Sequence, residues 1–143
     1  MTPDVSSWRL VGQTANSKYY EVEEGTLAAV PNQGARDDGT TARENAEFQN
    51  AYFKRIEHPG VVVVFFDRMV SQDRKARRIY QAEIDATLTR GACLVGGTML
   101  SRAMASFSLG FGEVKVPVKL FANLEEALAW ARELNGVAKE SRP

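Results

Sequence analysis

Two carboxylates and a cluster of four cations within five positions mark one short stretch of this chain. They are Asp67, Asp73, Arg74, Lys75, Arg77 and Arg78, within "VVVVFFDRMVSQDRKARRIY". Side chains of these types can grip a phosphate, a metal or a charged partner. Asp67 and Asp73 could share a metal, but turn chemistry explains two isolated carboxylates as well, and no metal is expected. The cations fall at the start of an expected helix, where the backbone dipole is already positive. Arg74 and Arg78 stand four apart, and Lys75 and Arg78 three apart, so they repel by about a few tenths of a kcal/mol per pair. Asp73 and Arg77 form the favourable pair. The rest of the charge needs compensation from Asp67, from another acid or from a bound anion. A helix start carrying arginines suits an anion. The alternative is a solvated face whose long stems cover the edge of the core. Ser71 has the type and position of an N-cap, and a regulatory or contact serine is its second reading.

The rest of the chain supplies little else that could catalyse. His58 is the only histidine, and it sits in "EHPG" as helix-end punctuation. A Ser-His-Asp site would have to pass through it, and there is no G-x-S-x-G elbow. Cys93 is the only cysteine, so neither an internal disulfide nor a thiolate cluster can form within one chain. Among Ala92, Leu94 and Val95 it reads as a buried, inert thiol. Gly96, Gly97 and Thr98 lie between a strand and a helix but lack the lysine of a phosphate loop. They read as close packing and turn geometry, with Thr98 or Ser101 as cap. Phe107, Leu109 and Phe111 can form an apolar lip for a partner helix, a lipid chain or a second copy, or else simply pack in the core. With no complete catalytic constellation, neither an enzyme nor a cofactor is expected.

The elements that must position these residues follow from the apolar pattern. The chain has 143 residues, 44% hydrophobic and 25% charged, with zero formal net charge. That is one globular domain's worth, with no global field to steer it to nucleic acid or an anionic membrane. The expected domain spans 1–143, with 1–6 and 137–143 as frayed ends. The start has no leader pattern and no run is long enough to span a membrane, so a cytoplasmic protein is expected.

Ser7–Gln13 reads as a short edge strand. "KYYEVEEGTLAAVPNQG" reads as two strands around a turn at Gly25, where a positive φ is cheap for glycine. "ARDDGTT" reads as a mobile polar loop. Thr41 and Glu44 have capping-box spacing for a helix whose buried face repeats at Phe48, Tyr52 and Ile56. Pro59 and Gly60 end it. Val61–Phe66 is apolar throughout, as in a strand covered on both faces. Ser71 to about Leu88 is the second helix, with a stripe of Ala76, Ile79, Tyr80, Ile84 and Leu88. "GACLVGGTM" is a buried strand and "LSRAMASFSLGFG" a helix. "VPVKLFAN" is the last strand, and Asn123 caps a closing helix with the stripe Ala127, Leu128, Ala131 and Leu134. Helices alternating with strands imply an α/β layer structure with a mixed, mostly parallel sheet.

This order resembles the SpoIIAA-like STAS proteins, small bacterial regulatory domains. Asp67 followed by "SQDRKARRIY" is similar to the family's strand–Asp–turn–"IDREAR" segment. "LSRAMASFSLGF" is similar to its "RxxxxFxLG" helix, and "VPVKLFANLEEALAWAREL" to its closing "PxxxFxxxxEALAWL". The resemblance covers Val61 to Leu134 and implies a single STAS-like domain. Many relatives carry a phosphorylatable serine after an Asp at the start of the second helix. Here Asp73 is followed by Arg74, so that serine is absent. The resemblance implies a regulatory or protein-interaction module docking a protein partner through Asp67–Arg78. Self-association is a further option. The alternative is a binder of a small anionic or lipidic ligand at the same basic helix start.

Overall fold

The computed structural model describes residues 2–96 and 115–136. Strands β1 (Arg9–Gln13), β2 (Ser17–Glu23), β3 (Thr26–Pro31), β5 (Gly60–Phe65), β7 (Thr89–Val95) and β8 (Val118–Phe121) form one six-stranded sheet in the order β1-β2-β3-β5-β7-β8. The pairs β1–β2 and β2–β3 are antiparallel, while β3–β5, β5–β7 and β7–β8 are parallel. Strands β4 (Ala35–Asp37) and β6 (Met69–Gln72) form a separate two-stranded parallel ribbon. The helices are α1 (Gly39–Ile56), α2 (Arg74–Glu83) and α3 (Leu124–Leu134). The mixed, mostly parallel α/β sheet that the alternation implies is present.

Strand β5 shows why its sequence is apolar throughout. Successive side chains point to opposite faces, so a strand between two layers needs apolar residues at every step. Val61, Val63 and Phe65 pack with Ala127 and Ala131 of α3, and Val62 packs with Tyr52 and Phe53 of α1. Val61, Val62 and Val63 are almost wholly buried. Each such valine contributes about 1.5–3 kcal/mol of transfer free energy.

Gly25 takes φ +80° in the β2–β3 turn, as its position requires. Beside it, Gly60 is hemmed in: a Cβ there would lie 2.4 Å from the Gly25 carbonyl oxygen and 2.4 Å from Phe53. The Gly60 amide donates to Leu88 O at 2.9 Å, and Val61 N to Gly25 O at 2.8 Å. Three chain segments therefore close on one residue. Asn123 caps α3 as expected, accepting from Glu126 N at 2.9 Å.

Four local expectations need correction. The segment expected as the mobile loop "ARDDGTT" contains β4 and the start of α1, and Asp37 within it is buried. The capping box of α1 is Asp38–Thr41, with Asp38 accepting from Thr41 N and Thr41 accepting from Asp38 N. Glu44 instead accepts from Ala15 N at 2.7 Å, bracing the β1–β2 turn. Ser71 lies in strand β6 and is not an N-cap. The cap is Asp73, and α2 ends at Glu83, five residues short of Leu88. Asp73 takes the cap because the β4–β6 pairing holds the chain extended through Gln72. Phe66 opens a 3-10 turn, Phe66–Arg68, that carries the chain off the main sheet.

The expected helix "LSRAMASFSLGFG", the Gly97–Thr98 and Ser101 cap, the Phe107–Leu109–Phe111 lip and the frayed tail 137–143 lie outside the described residues. Among the described residues no helix is long and apolar enough to cross a membrane.

Candidate functional site

The junction after β5 is built by anchoring a polar turn to two neighbours. Phe66 and Met69 bury themselves against Leu94. Arg68, which the sequence reading passed over, donates from Nε to Pro31 O at 2.6 Å and from Nη1 to Thr2 Oγ1 at 2.9 Å. Asp73 N donates to Asp37 O at 3.1 Å, continuing the β4–β6 ribbon to the helix start.

At that start the basic cluster divides. The Asp73 carboxylate accepts from Ala76 N at 2.8 Å, so an acid of the chain itself meets the positive end of α2. Arg77 turns back, its Nη1 donating to Gln72 O at 2.9 Å, and is half-buried. Arg74, Lys75 and Arg78 are exposed, and Asp67 is half-buried in the 3-10 turn. Val70 is 50% exposed, an apolar side chain left on the surface of β6. The junction thus offers one exposed apolar side chain in the same short stretch as three exposed cations.

The other candidates fall in structural places. The Cys93 thiol is buried and donates to Ala127 O at 3.6 Å; burial pushes its pKa up to about 12. Such a thiol is a poor nucleophile. The His58 ring covers the Gly25 turn and makes a close contact through Nδ1 with Pro59 O. Among the described residues no three His, Cys, Asp or Glu side chains come together to hold a metal.

Sequence reasoning missed a second polar centre. Asp37 is only 3% exposed. Its carboxylate accepts from Thr41 Oγ1 at 2.7 Å, Tyr80 OH at 2.8 Å, Gln72 Nε2 at 3.1 Å and, at the limit, Asn16 Nδ2 at 3.5 Å. All of these donors are neutral. Behind Tyr80, Asn45 Nδ2 donates to the Tyr80 oxygen at 3.1 Å and Tyr19 OH donates to Asn45 Oδ1 at 2.9 Å. Burial raises the pKa of both phenols, and the Asp37 charge raises them further, so they remain neutral donors. The network ties β2, β4, β6, α1 and α2 together. Its signal in the sequence is Asn45 and Gln49, polar residues on the buried face that α1 shares with Ala42, Ala46, Tyr52 and Phe53.

Beside this network a cavity of about 190 Å³ opens between α2 and the sheet. Its floor is made of short apolar side chains, and its wall includes Asp37, Arg77 and Gln81.

With this geometry in place, the chain can be compared with known proteins. The model of the family described as "Domain of unknown function (DUF7793)" matches residues 20–135. No curated protein matches the chain. Among solved structures, the anti-sigma factor antagonist SpoIIAA in its unphosphorylated form is similar, with a TM-score of 0.54 at 16% identity, covering 81% of this chain and 97% of that one. An uncharacterized protein of the DUF3478 family with a SpoIIAA-like fold, from Shewanella loihica PV-4, gives a TM-score of 0.48 at 12% identity, covering 92% and 98%. The fold is that of SpoIIAA, the STAS fold that the sequence motifs resemble.

Proposed function

We propose, for a chain that belongs to the family described as "Domain of unknown function (DUF7793)", a role as a non-enzymatic regulatory module that docks a protein partner. The docking surface is the junction from Asp67 to Arg78, and the module works in the cytoplasm. One observation carries this reading: Val70 lies half-exposed on a ribbon that leaves the main sheet, and the exposed Arg74, Lys75 and Arg78 follow it within the same junction. An apolar centre with a charged rim is how protein interfaces are commonly built. The matching partner surface is acidic around an apolar contact. The fold adds weight, because SpoIIAA is itself an anti-sigma factor antagonist. Control through a serine following Asp73 is not available here, since Arg74 holds that position.

The alternative, an anionic or lipidic ligand at the start of α2, must compete with the Asp73 carboxylate already bonded there. Protein docking has no such competitor.

The test is recovery of partners from extract of the native host, using wild type and the Arg74→Glu/Arg78→Glu double variant. These side chains are exposed, so the fold is expected to survive, checked by an unchanged melting temperature. Partner recovery is expected to fall at least about tenfold, as when rim charges that steer and hold a complex are reversed. Equal recovery with the double variant would remove the junction as the docking surface.

A further inference from the structure

The register of the small ribbon brings a residue from much earlier in the chain to the junction. In the β4–β6 pair, Ala35 lies opposite Met69 and Arg36 opposite Ser71, so Val70 is the extra residue between them. Ala35 and Met69 pack into the apolar cluster with Phe66 and Leu94, and Asp37 is buried. Arg36 and Val70 are exposed. Paired strands run about 4.8 Å apart, so an exposed arginine and an exposed valine share one small ribbon.

Arg36 also differs from most arginines of the molecule. Among the described residues, Arg9, Arg43 and Arg132 meet Glu21, Glu83 and Glu23 within 3.1 Å. Arg55 lies over the Tyr52 ring, and Arg68, Arg77 and Arg90 donate to backbone carbonyls. Arg74 is likewise engaged. Arg36 and Arg78 are the described arginines whose side chains make no hydrogen bond, ion pair or ring contact. The carbonyl of Asp37, next to Arg36, accepts from Asp73 N at the start of α2. The two free guanidiniums thus stand on the two segments that meet at the ribbon-to-helix corner. Asp38 and Asp73 are exposed on the same segments. A uniformly anionic lipid surface would face those acids as well, whereas a protein segment can place its carboxylates against the arginines alone.

We infer that Arg36 is a contact residue of the docking surface, and that this surface takes an acidic protein segment carrying an apolar side chain. The carboxylates meet Arg36 and Arg78, and the apolar side chain meets Val70. This rests on the docking role proposed for Asp67–Arg78 and adds a second stretch of the chain to it.

The probe is a fluorescein-labelled short peptide of glutamate and serine with one central leucine, titrated into the full chain and read by anisotropy. Arg36→Glu and Arg78→Glu are each expected to weaken binding about fivefold. Arg36→Gln adds no acid beside Asp37 and Asp38; it is expected to weaken binding about twofold, and it decides if the glutamate variant does not fold. Lys54→Glu, in the last turn of α1, is expected to change nothing. Serine in place of the peptide's leucine is expected to cost about threefold. A loss with Arg78→Glu but with neither Arg36 variant would remove Arg36 and leave the docking reading standing. Binding unmoved by any of these variants would remove both. Displacement of the peptide by phosphatidylserine vesicles, and not by phosphatidylcholine vesicles, would overturn the choice of a protein segment. No binding by wild type would overturn the acidic segment, whatever the extract experiment recovers.

Discussion

Single residues divide sharply into those whose neighbours the sequence announces and those it conceals. Cys93 lies inside an apolar run, so its burial was legible. Asn123 stands one residue before a periodic stripe, so its cap was legible too. Asp37 and Asp38 are chemically identical and adjacent, but one is buried among four donors and the other caps α1 from the surface. Nothing local to "RDDG" distinguishes them; the donors arrive from the β1–β2 turn, β6, α1 and α2. Thr89 is concealed in the same way. Replacing it by valine keeps the shape and removes an unpartnered hydroxyl. Thr89→Val is therefore expected to stabilise the protein by about 1 kcal/mol, measured by urea unfolding. A destabilised variant would mean that the hydroxyl already has a structural partner.

Elements were legible where their own side chains set them, and less so where pairing elsewhere set them. The apolar run at β5 and the stripe of α3 carry their own period. The start of α2 does not, because Ser71 and Asp73 both carry cap-forming side chains and the ribbon with β4 decides between them. Once β6 is held extended through Gln72, Asp73 is the first side chain able to meet the free amides of α2. Asp73→Ala is expected to cost about 1 kcal/mol, the usual worth of a cap. Ser71→Ala is expected to lie within about 0.5 kcal/mol of wild type. Chemical denaturation of the two single variants checks this. A larger loss at Ser71 than at Asp73 would return the cap to Ser71.

At the scale of the whole molecule the buried acids set the response to alkali. Tyr19, Tyr80 and Cys93 all have pKa values raised by burial. Above their ordinary values the unfolded chain loses these protons while the folded chain keeps them. The folded state then binds more protons, and stability falls as pH rises. The loss begins near pH 9, the ordinary thiol value, and steepens above pH 10, the ordinary phenol value. Melting temperatures measured from pH 7 to 11 are expected to be flat and then to drop. Tyr80→Phe is expected to have a shallower alkaline limb. An identical limb in that variant would show that Tyr80 does not hold its proton against the Asp37 charge.

Gly60 bears on a different question, the order in which the chain can assemble. The antiparallel β2–β3 pair closes over the Gly25 turn and can form from neighbouring residues alone. The parallel pairs of β5 with β3 and β7 cannot, since α1 and α2 must first be spanned and each closure costs loop entropy. Both parallel pairs nevertheless begin at adjacent residues, where Gly60 N meets Leu88 O and Val61 N meets Gly25 O. A single crowded contact thus fixes the alignment of three strands at once. A one-residue slip in either pair would drive atoms into the Gly25 backbone and, once α1 docks, into the Phe53 ring, so misaligned sheets are rejected.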